Sequence, residues 1–189
     1  MASARNSRKS QKMIYDSFYS YAIAICKRYS SSHDDAVEML NEGFLRMFKK
    51  IHHFIPGGGD VVTLFKNWLR DVFVYSAIEY FKKNYRYEVA SDADSLVDQI
   101  DFENNEHPEQ ELDPERTIEA LQNLSPICRI VFNLFVIEGL DHDEIASQLN
   151  ISTTASQVNL SHARSYLQNR LFNQNDFPIE VAVKRGAGR

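Results

Sequence analysis

Apolar residues return every three or four positions along most of this 189-residue chain. That spacing builds one apolar face on an α-helix and has no counterpart in a strand, where the repeat is two. Ile14, Phe18, Tyr21, Ala22 and Ile25 share one such face, starting near Met13. Ala36, Val37, Leu40, Phe44, Met47, Phe48 and Ile51 share a second, opened by Ser32 with Asp35 three residues later, a capping-box-like start. Pro56-Gly57-Gly58-Gly59 stops that helix. A third, from about Thr63 to Tyr85, carries Leu64, Phe65, Trp68, Leu69, Val72, Phe73, Ile78 and Phe81 on more than one face. No strand-like alternation of any length occurs, so the pattern predicts an all-α protein.

The same grammar resumes after a gap. Asp113-Pro114 and Ser125-Pro126 each read as an N-cap with proline at the first helical position. Ile127, Ile130, Val131, Leu134, Phe135 and Ile137 make a strongly apolar helix that stops at Gly139. Asp141-x-x-Glu144 has capping-box spacing and opens a short helix with Ile145, Ala146 and Leu149 inward. Asn150-Ile151-Ser152 makes a turn, and a last helix over residues 153–171 buries Ala155, Leu160, Ala163 and Leu167. Residues 86–112 lack this periodicity and are rich in Asp, Glu and Asn, the composition of a flexible linker. The expected organisation is a basic tail (1–12), a three-helix bundle (13–87), a flexible acidic linker (88–112), a second small helical domain (113–172) and a C-terminal tail (173–189).

Charge follows the same division. The formal net charge of −5 would argue against a nucleic-acid binder. Yet residues 1–87 hold 14 Lys/Arg against 8 Asp/Glu, while residues 88–119 hold 12 acids and one base, Arg116. A basic front half is masked by a concentrated acidic segment. No run approaches the ~18 apolar residues of a membrane span; the best stretch, Ile127 to Ile137, is short and holds Arg129 and Asn133. The N-terminus has no apolar core of a secretory signal, and Cys26 and Cys128 lie within apolar patterns, as in a reducing cytoplasm. The glycine run lacks the Lys-Ser/Thr of a phosphate loop. His33-Asp34 and His142-Asp143 stand at helix starts, where capping accounts for the acids. The expectation is a cytoplasmic protein with no enzymatic activity, metal or cofactor.

Three features carry binding chemistry. Residues 141–167 match a helix-turn-helix, with Ala146 at the helix crossing and Ile151 plugging the turn. In such a unit the second helix reads base edges in the major groove. Thr153, Thr154, Gln157, Val158 and Ser161 would face outward near its start; Gln pairs with adenine, and Thr or Val meets a thymine methyl. An ordinary helical hairpin with a polar surface shows the same spacing. From Phe65 to Tyr87, Trp68, Tyr75, Tyr80 and Tyr85 alternate with Lys66, Arg70, Lys82, Lys83 and Arg86. Rings stack on unpaired bases and cations follow phosphates, a mixture suited to single-stranded or melted DNA, though most of these rings also suit a core. Glu38 and Glu42 with Arg46, Lys49 and Lys50 make a docking face or simply a solvated one that suits the helix dipole.

In order, these pieces resemble an extracytoplasmic-function sigma factor, the short two-domain class of bacterial RNA polymerase sigma factors. Residues 37–48 (VEMLNEGFLRMF) are similar to the region-two helix that grips the polymerase clamp. Phe65-Lys66-Asn67-Trp68-Leu69, continuing to residues 77–83 (AIEYFKK), resembles the helix that holds the melted minus-ten element. Leu121 to Leu171 resembles region four, with Ile137-Glu138-Gly139, then EIASQLNIS (144–152), then Leu160-Ser161-His162-Ala163-Arg164.

The resemblance implies a fold of two bundles, region two and a region-four helix-turn-helix, and a function without covalent chemistry. Glu38, Glu42, Phe44 and Arg46 would meet the clamp coiled coil of core polymerase, while region four rests on the flap. Lys66, Trp68, Lys82, Lys83 and Arg86 would hold single-stranded minus-ten DNA, with the loop from His53 to Leu64 as the base pocket. Thr153, Thr154, Gln157, Ser161, His162 and Arg164 would read the minus-thirty-five duplex. The free protein would be monomeric, with an anti-sigma factor among the family's usual partners. The competing reading is a dimeric helix-turn-helix regulator on palindromic DNA that works without polymerase; a helical adaptor that binds no DNA is a third.

Overall fold

The structure is a computed structural model, and it describes residues 8–85 and 113–172. Three helices build the N-terminal bundle: α1 (Arg8–Tyr29), α2 (His33–Lys50) and α3 (Val61–Asn84). α1 starts five residues before Met13, so part of the expected basic tail is helical; Arg, Lys and Gln are good helix formers. Ser32 caps α2 by accepting the Asp35 amide at 3.1 Å. Asp34 and Asp35 lie in the first turn of α2 and Lys49 and Lys50 in its last, as the helix dipole favours. A short 3-10 turn, Ile51–His53, leads into the glycine loop. Leu40, Met47, Leu69 and Phe73 are fully buried where the helices meet. A side chain of this kind contributes about 1.5–3 kcal/mol on burial.

The C-terminal bundle has α4 (Pro114–Gln122), α5 (Pro126–Phe132), α6 (His142–Leu149) and α7 (Thr153–Phe172). Asp113 and Ser125 cap α4 and α5 ahead of their prolines. The capping box on α6 is complete: Asp141 Oδ1 accepts the Glu144 amide at 2.8 Å, and Glu144 Oε2 accepts the Asp141 amide at 3.0 Å. Asn150 ends α6 in the left-handed region (φ 59°), which Asn tolerates better than most residues. Among the described residues there is no strand.

One element departs from the sequence pattern. The apolar helix expected to run regularly to Gly139 widens into a π-turn over Asn133–Ile137, where the Glu138 amide donates to the Asn133 carbonyl at 3.0 Å. Asn133 is fully buried, and its Nδ2 donates to the Arg129 carbonyl one turn back at 2.9 Å. A side chain competing for the backbone ladder is a recognised cause of such distortion. Gly139, at φ 77°, then turns the chain away.

The two bundles are docked on each other. A continuous set of buried residues runs from Ala22, Ile25 and Cys26 in α1 through α2 and α3 to Ile130, Val131, Leu134 and Ile145 in the C-terminal bundle. The seam between them is also polar. The last carbonyls of α1, which no helix can satisfy internally, are capped by the other bundle. Gln122 Nε2 donates to Lys27 O (3.3 Å), Asn133 Nδ2 to Arg28 O (2.9 Å) and Arg129 Nη1 to Tyr29 O (3.4 Å).

Arg129 is 2% exposed. It also donates to the Leu121, Gln122 and Leu124 carbonyls and, at 2.9 Å, to Ser31 Oγ. Its full donor set is used on neutral acceptors, and burial pulls its pKa down.

Candidate nucleic-acid interface

α3 carries the first group of candidates, and the helix separates them. Lys66 and Trp68 stand near its N-terminus, Lys82 and Lys83 near its C-terminus, about 24 Å apart at 1.5 Å per residue. Trp68 is half-buried, its ring 5.5 Å from Phe54 and 5.6 Å from Phe65, and Phe65 leans on Phe18 at 5.0 Å. This aromatic platform sits at the root of the loop over residues 54–60. Ile55 in that loop is 84% exposed, and Val61 and Val62 at the start of α3 are also exposed. Gly57, Gly58 and Gly59 have open space around them, with Gly59 at φ 126°.

Asp60 ties the loop to the helix. Its carboxylate accepts the Thr63 hydroxyl at 2.6 Å and the Val62 amide at 3.1 Å. The Thr63 hydroxyl first, then the Val62 amide, holds its pKa below the usual carboxylate value. Lys66 is exposed, and its carbonyl accepts the Tyr21 hydroxyl at 3.3 Å. Lys82 pairs with Glu79 (3.5 Å) and Lys83 with Glu38 (3.6 Å). Exposed pairs of this kind are worth about 1 kcal/mol or less, so either lysine can exchange its partner for a phosphate. Arg86 lies outside the described residues, as do the linker and both tail ends.

On α2, Glu38 and Glu42 are exposed, and Arg46 pairs with Glu42 at 3.7 Å while its guanidinium lies 4.4 Å over the Tyr75 ring. A groove of about 480 Å³ between α2 and α3 is lined by Glu38, Glu42, Arg46, Tyr80 and Lys83. Phe44 corrects the expectation of a surface contact. It is 3% exposed, its ring 4.5 Å from Tyr15 and 5.3 Å from Phe73. The phase of α2 turns it into the junction of all three helices.

On α7, Thr154, Gln157 and Arg164 are exposed. Thr153 is half-buried and donates to Asp143 Oδ1 at 2.9 Å, stitching α7 to α6. His162 and Val158 are half-buried. Ser161 is 8% exposed, against its expected outward place. Because α7 packs against α4, α5 and α6, only a narrow strip of it stays open. Ser156, fully buried, lies 2.9 Å from His142 Nδ1 and fixes the two helices together. The Arg164 guanidinium lies 5.6 Å over the Phe135 ring.

A group that sequence reasoning did not assemble lies on the seam. Glu138, with 7% of its side chain exposed, is held by Arg70, which reaches it through Nε and Nη2. It also faces Arg28 Nη2 at 3.6 Å and accepts the Tyr29 hydroxyl at 3.2 Å. Arg70 Nη2 donates to the Ile137 carbonyl as well, at 3.0 Å. The carboxylate bond to Glu138 raises the Arg70 pKa, and burial, with Glu138 beside it, pushes Tyr29 well up. The signal available in sequence was the presence of Arg129, Asn133 and Glu138 in or beside an otherwise apolar run.

An N-terminal three-helix bundle with an aromatic platform beside a glycine loop, and a C-terminal helix-turn-helix, match known proteins. The family model for Sigma-70 region 2 matches residues 14–87, and that for Sigma-70, region 4 matches residues 115–167. The chain belongs to the sigma-70 family. It carries that family's regions 2 and 4 and is a sigma factor functioning in transcription initiation. No curated protein matches it. Among solved structures, the sigma factor RpoE in complex with the anti-sigma factor NepR from Bartonella quintana aligns with 84% of this chain and 94% of its own, at 22% identity and a TM-score of 0.46.

Proposed function

We propose that this sigma factor seats the α2 face of region 2 on the clamp coiled coil of core RNA polymerase. Region 4 rests on the flap and reads the minus-thirty-five duplex, and region 2 captures melted minus-ten DNA. Glu38, Glu42 and Arg46 serve the core contact. Lys66, Trp68, Lys82, Lys83 and Arg86 serve the single strand. Thr153, Thr154, Gln157, His162 and Arg164 serve the duplex, with Thr154, Gln157 and Arg164 best placed to reach it. The protein works by binding alone, as a monomer in the cytoplasm, and an anti-sigma factor controls its access to polymerase. Among the described residues no helix is long and apolar enough to cross a membrane.

The observation that carries this reading is the end of region 2 around the glycine loop. Ile55, Val61 and Val62 expose apolar surface beside the Trp68–Phe54–Phe65 platform. Exposed apolar surface gathered beside cations suits an unstacked base and its phosphates. Binding energy spent only on the separated strand draws the duplex toward the open state.

Reconstituted transcription tests the proposal. Core polymerase freed of sigma, mixed with the purified chain and a genomic template library, is expected to start transcripts from a defined promoter set. A folded chain that neither joins core enzyme nor yields a transcript would overturn the reading.

A further inference from the structure

Between Arg129 and Arg170 the chain has one lysine or arginine, Arg164. The start of the helix-turn-helix brings Asp141, Asp143 and Glu144 instead. Affinity for duplex DNA comes largely from cations on phosphates. A single arginine therefore carries the fixed positive charge with which this unit can hold the minus-thirty-five duplex. Where its guanidinium stands matters more than it would in a basic motif.

Arg164 is exposed, and among the described residues no carboxylate pairs with it. Its guanidinium stands over the ring of Phe135, 5.6 Å from the centroid. That is within reach of a cation–π contact. A ring takes a guanidinium by its face and uses none of its N–H donors, so they remain for a phosphate oxygen. The ring is itself braced. The imidazole of His142 stacks on it at 4.5 Å, the two planes 26° apart. His142 Nδ1 lies 2.9 Å from Ser156 Oγ, and Ser156 is fully buried in α7. The contacts thus leave α7 at Ser156, cross the start of α6 and the π-turn, and return to α7 at Arg164, about two turns further on.

At an exposed site a cation–π contact adds little to folding stability, yet it selects among the rotamers of a long side chain. α7 sets Arg164 and Gln157 on one edge. Seven positions apart, they stand within about 20° of each other around the helix and about 10.5 Å apart along it. That is about three base pairs of duplex.

We infer that Phe135, braced by His142, is a positioning residue for Arg164: it holds the guanidinium on the Gln157 edge of α7, where it grips a phosphate of the minus-thirty-five duplex. The inference rests on the function proposed above. An arginine without this support keeps its charge but gives up rotamer freedom when it binds. The loss is therefore in affinity and not in the number of phosphates met.

The test uses holoenzyme assembled from core polymerase and the full chain. It is titrated onto a duplex carrying the minus-thirty-five element of a promoter it transcribes, and onto the same duplex with that element scrambled, at several salt concentrations. Phe135→Leu keeps the apolar volume and removes the ring face. It is expected to weaken binding to the element about threefold, with the salt slope unchanged. Arg164→Ala is expected to lower the slope by about 0.9. In the Arg164→Ala chain, Phe135→Leu is expected to change nothing further. Phe135→Tyr, which restores a ring, is expected to bind as the wild type does. If circular dichroism shows Phe135→Leu unfolded, His142→Ala carries the same cycle, because it loosens the ring without removing it. Weakening of the same size with and without Arg164 marks the ring as a packing element and overturns the inference alone. Full-strength binding by the Arg164→Ala chain does the same. A wild-type holoenzyme with no preference for the element overturns it together with the proposed role of region 4.

Discussion

The ring of Phe73 in α3 occupies the space where a side chain at Gly43 in α2 would begin. The two helices approach closely here because Gly43 offers no Cβ, and Phe73 is fully buried as a result. Glycine in a helix interior ordinarily costs about 0.5–1 kcal/mol relative to alanine. Gly43→Ala is therefore expected to invert the usual sign, destabilising the chain by about 1–3 kcal/mol through overpacking. Denaturant unfolding measures it; a gain in stability would show that α2 and α3 are farther apart than described.

Phe44 and Glu42 are neighbours in sequence with opposite duties. Phe44→Ala removes a ring packed on Tyr15 and Phe73 and is expected to cost about 3–5 kcal/mol of folding stability. Glu42→Ala, on an exposed and weakly paired side chain, is expected to leave stability within about 0.5 kcal/mol and to weaken core polymerase binding. Thermal unfolding beside a core-binding titration separates the two; equal thermal shifts would contradict the assignment.

Recognition of the upstream duplex should depend on the open strip of α7. Gln157→Ala is expected to cost about 1–3 kcal/mol at its base pair and to relax sequence preference there. Ser161→Ala, inside the packed face, is expected to leave preference unchanged. Selection of active promoters from a randomised minus-thirty-five library by each variant decides this; a preference shifted by Ser161→Ala alone would place the strip wrongly.

The Cys26 thiol is expected to resist alkylation in the native chain at pH 8. Burial, opposed by weaker contributions from its backbone and Arg28, pushes its pKa up to about 12 from an ordinary 9.0. The raised value means the folded chain holds this proton longer than the unfolded one. Its contribution to stability is complete below pH 9 and is lost as pH rises toward 12. Tyr29, raised in the same direction, adds to the alkaline loss. Unfolding midpoints from pH 7 to 11 check the sign; stability rising above pH 9 would contradict it.

Much of this architecture was legible in the residues. Asp113-Pro114, Ser125-Pro126 and Asp141-x-x-Glu144 each mark a helix start locally, through hydrogen bonds to the next turn. Local signals survive without tertiary knowledge, and the helix-turn-helix was readable for that reason. The facing of Ser161 was not, because a helix packed on several sides buries more than its apolar stripe; Phe44 stood on the apolar stripe of α2, and only the family resemblance turned it toward the polymerase. The seam was least legible of all. Gln122, Arg129, Asn133 and Glu138 are 95–109 residues from the α1 groups they meet, and no local rule joins them.

The π-turn over Asn133–Ile137 spends one residue more than an ordinary helical turn. Wound as a regular helix, the same sequence would swing Glu138 around by about a quarter turn, away from Arg70. A segment one residue shorter would bring Glu138 to Arg70 through an ordinary turn; at the present length only the widened turn does so. The winding of five residues is thus the setting that decides whether the molecule's two ends address one another.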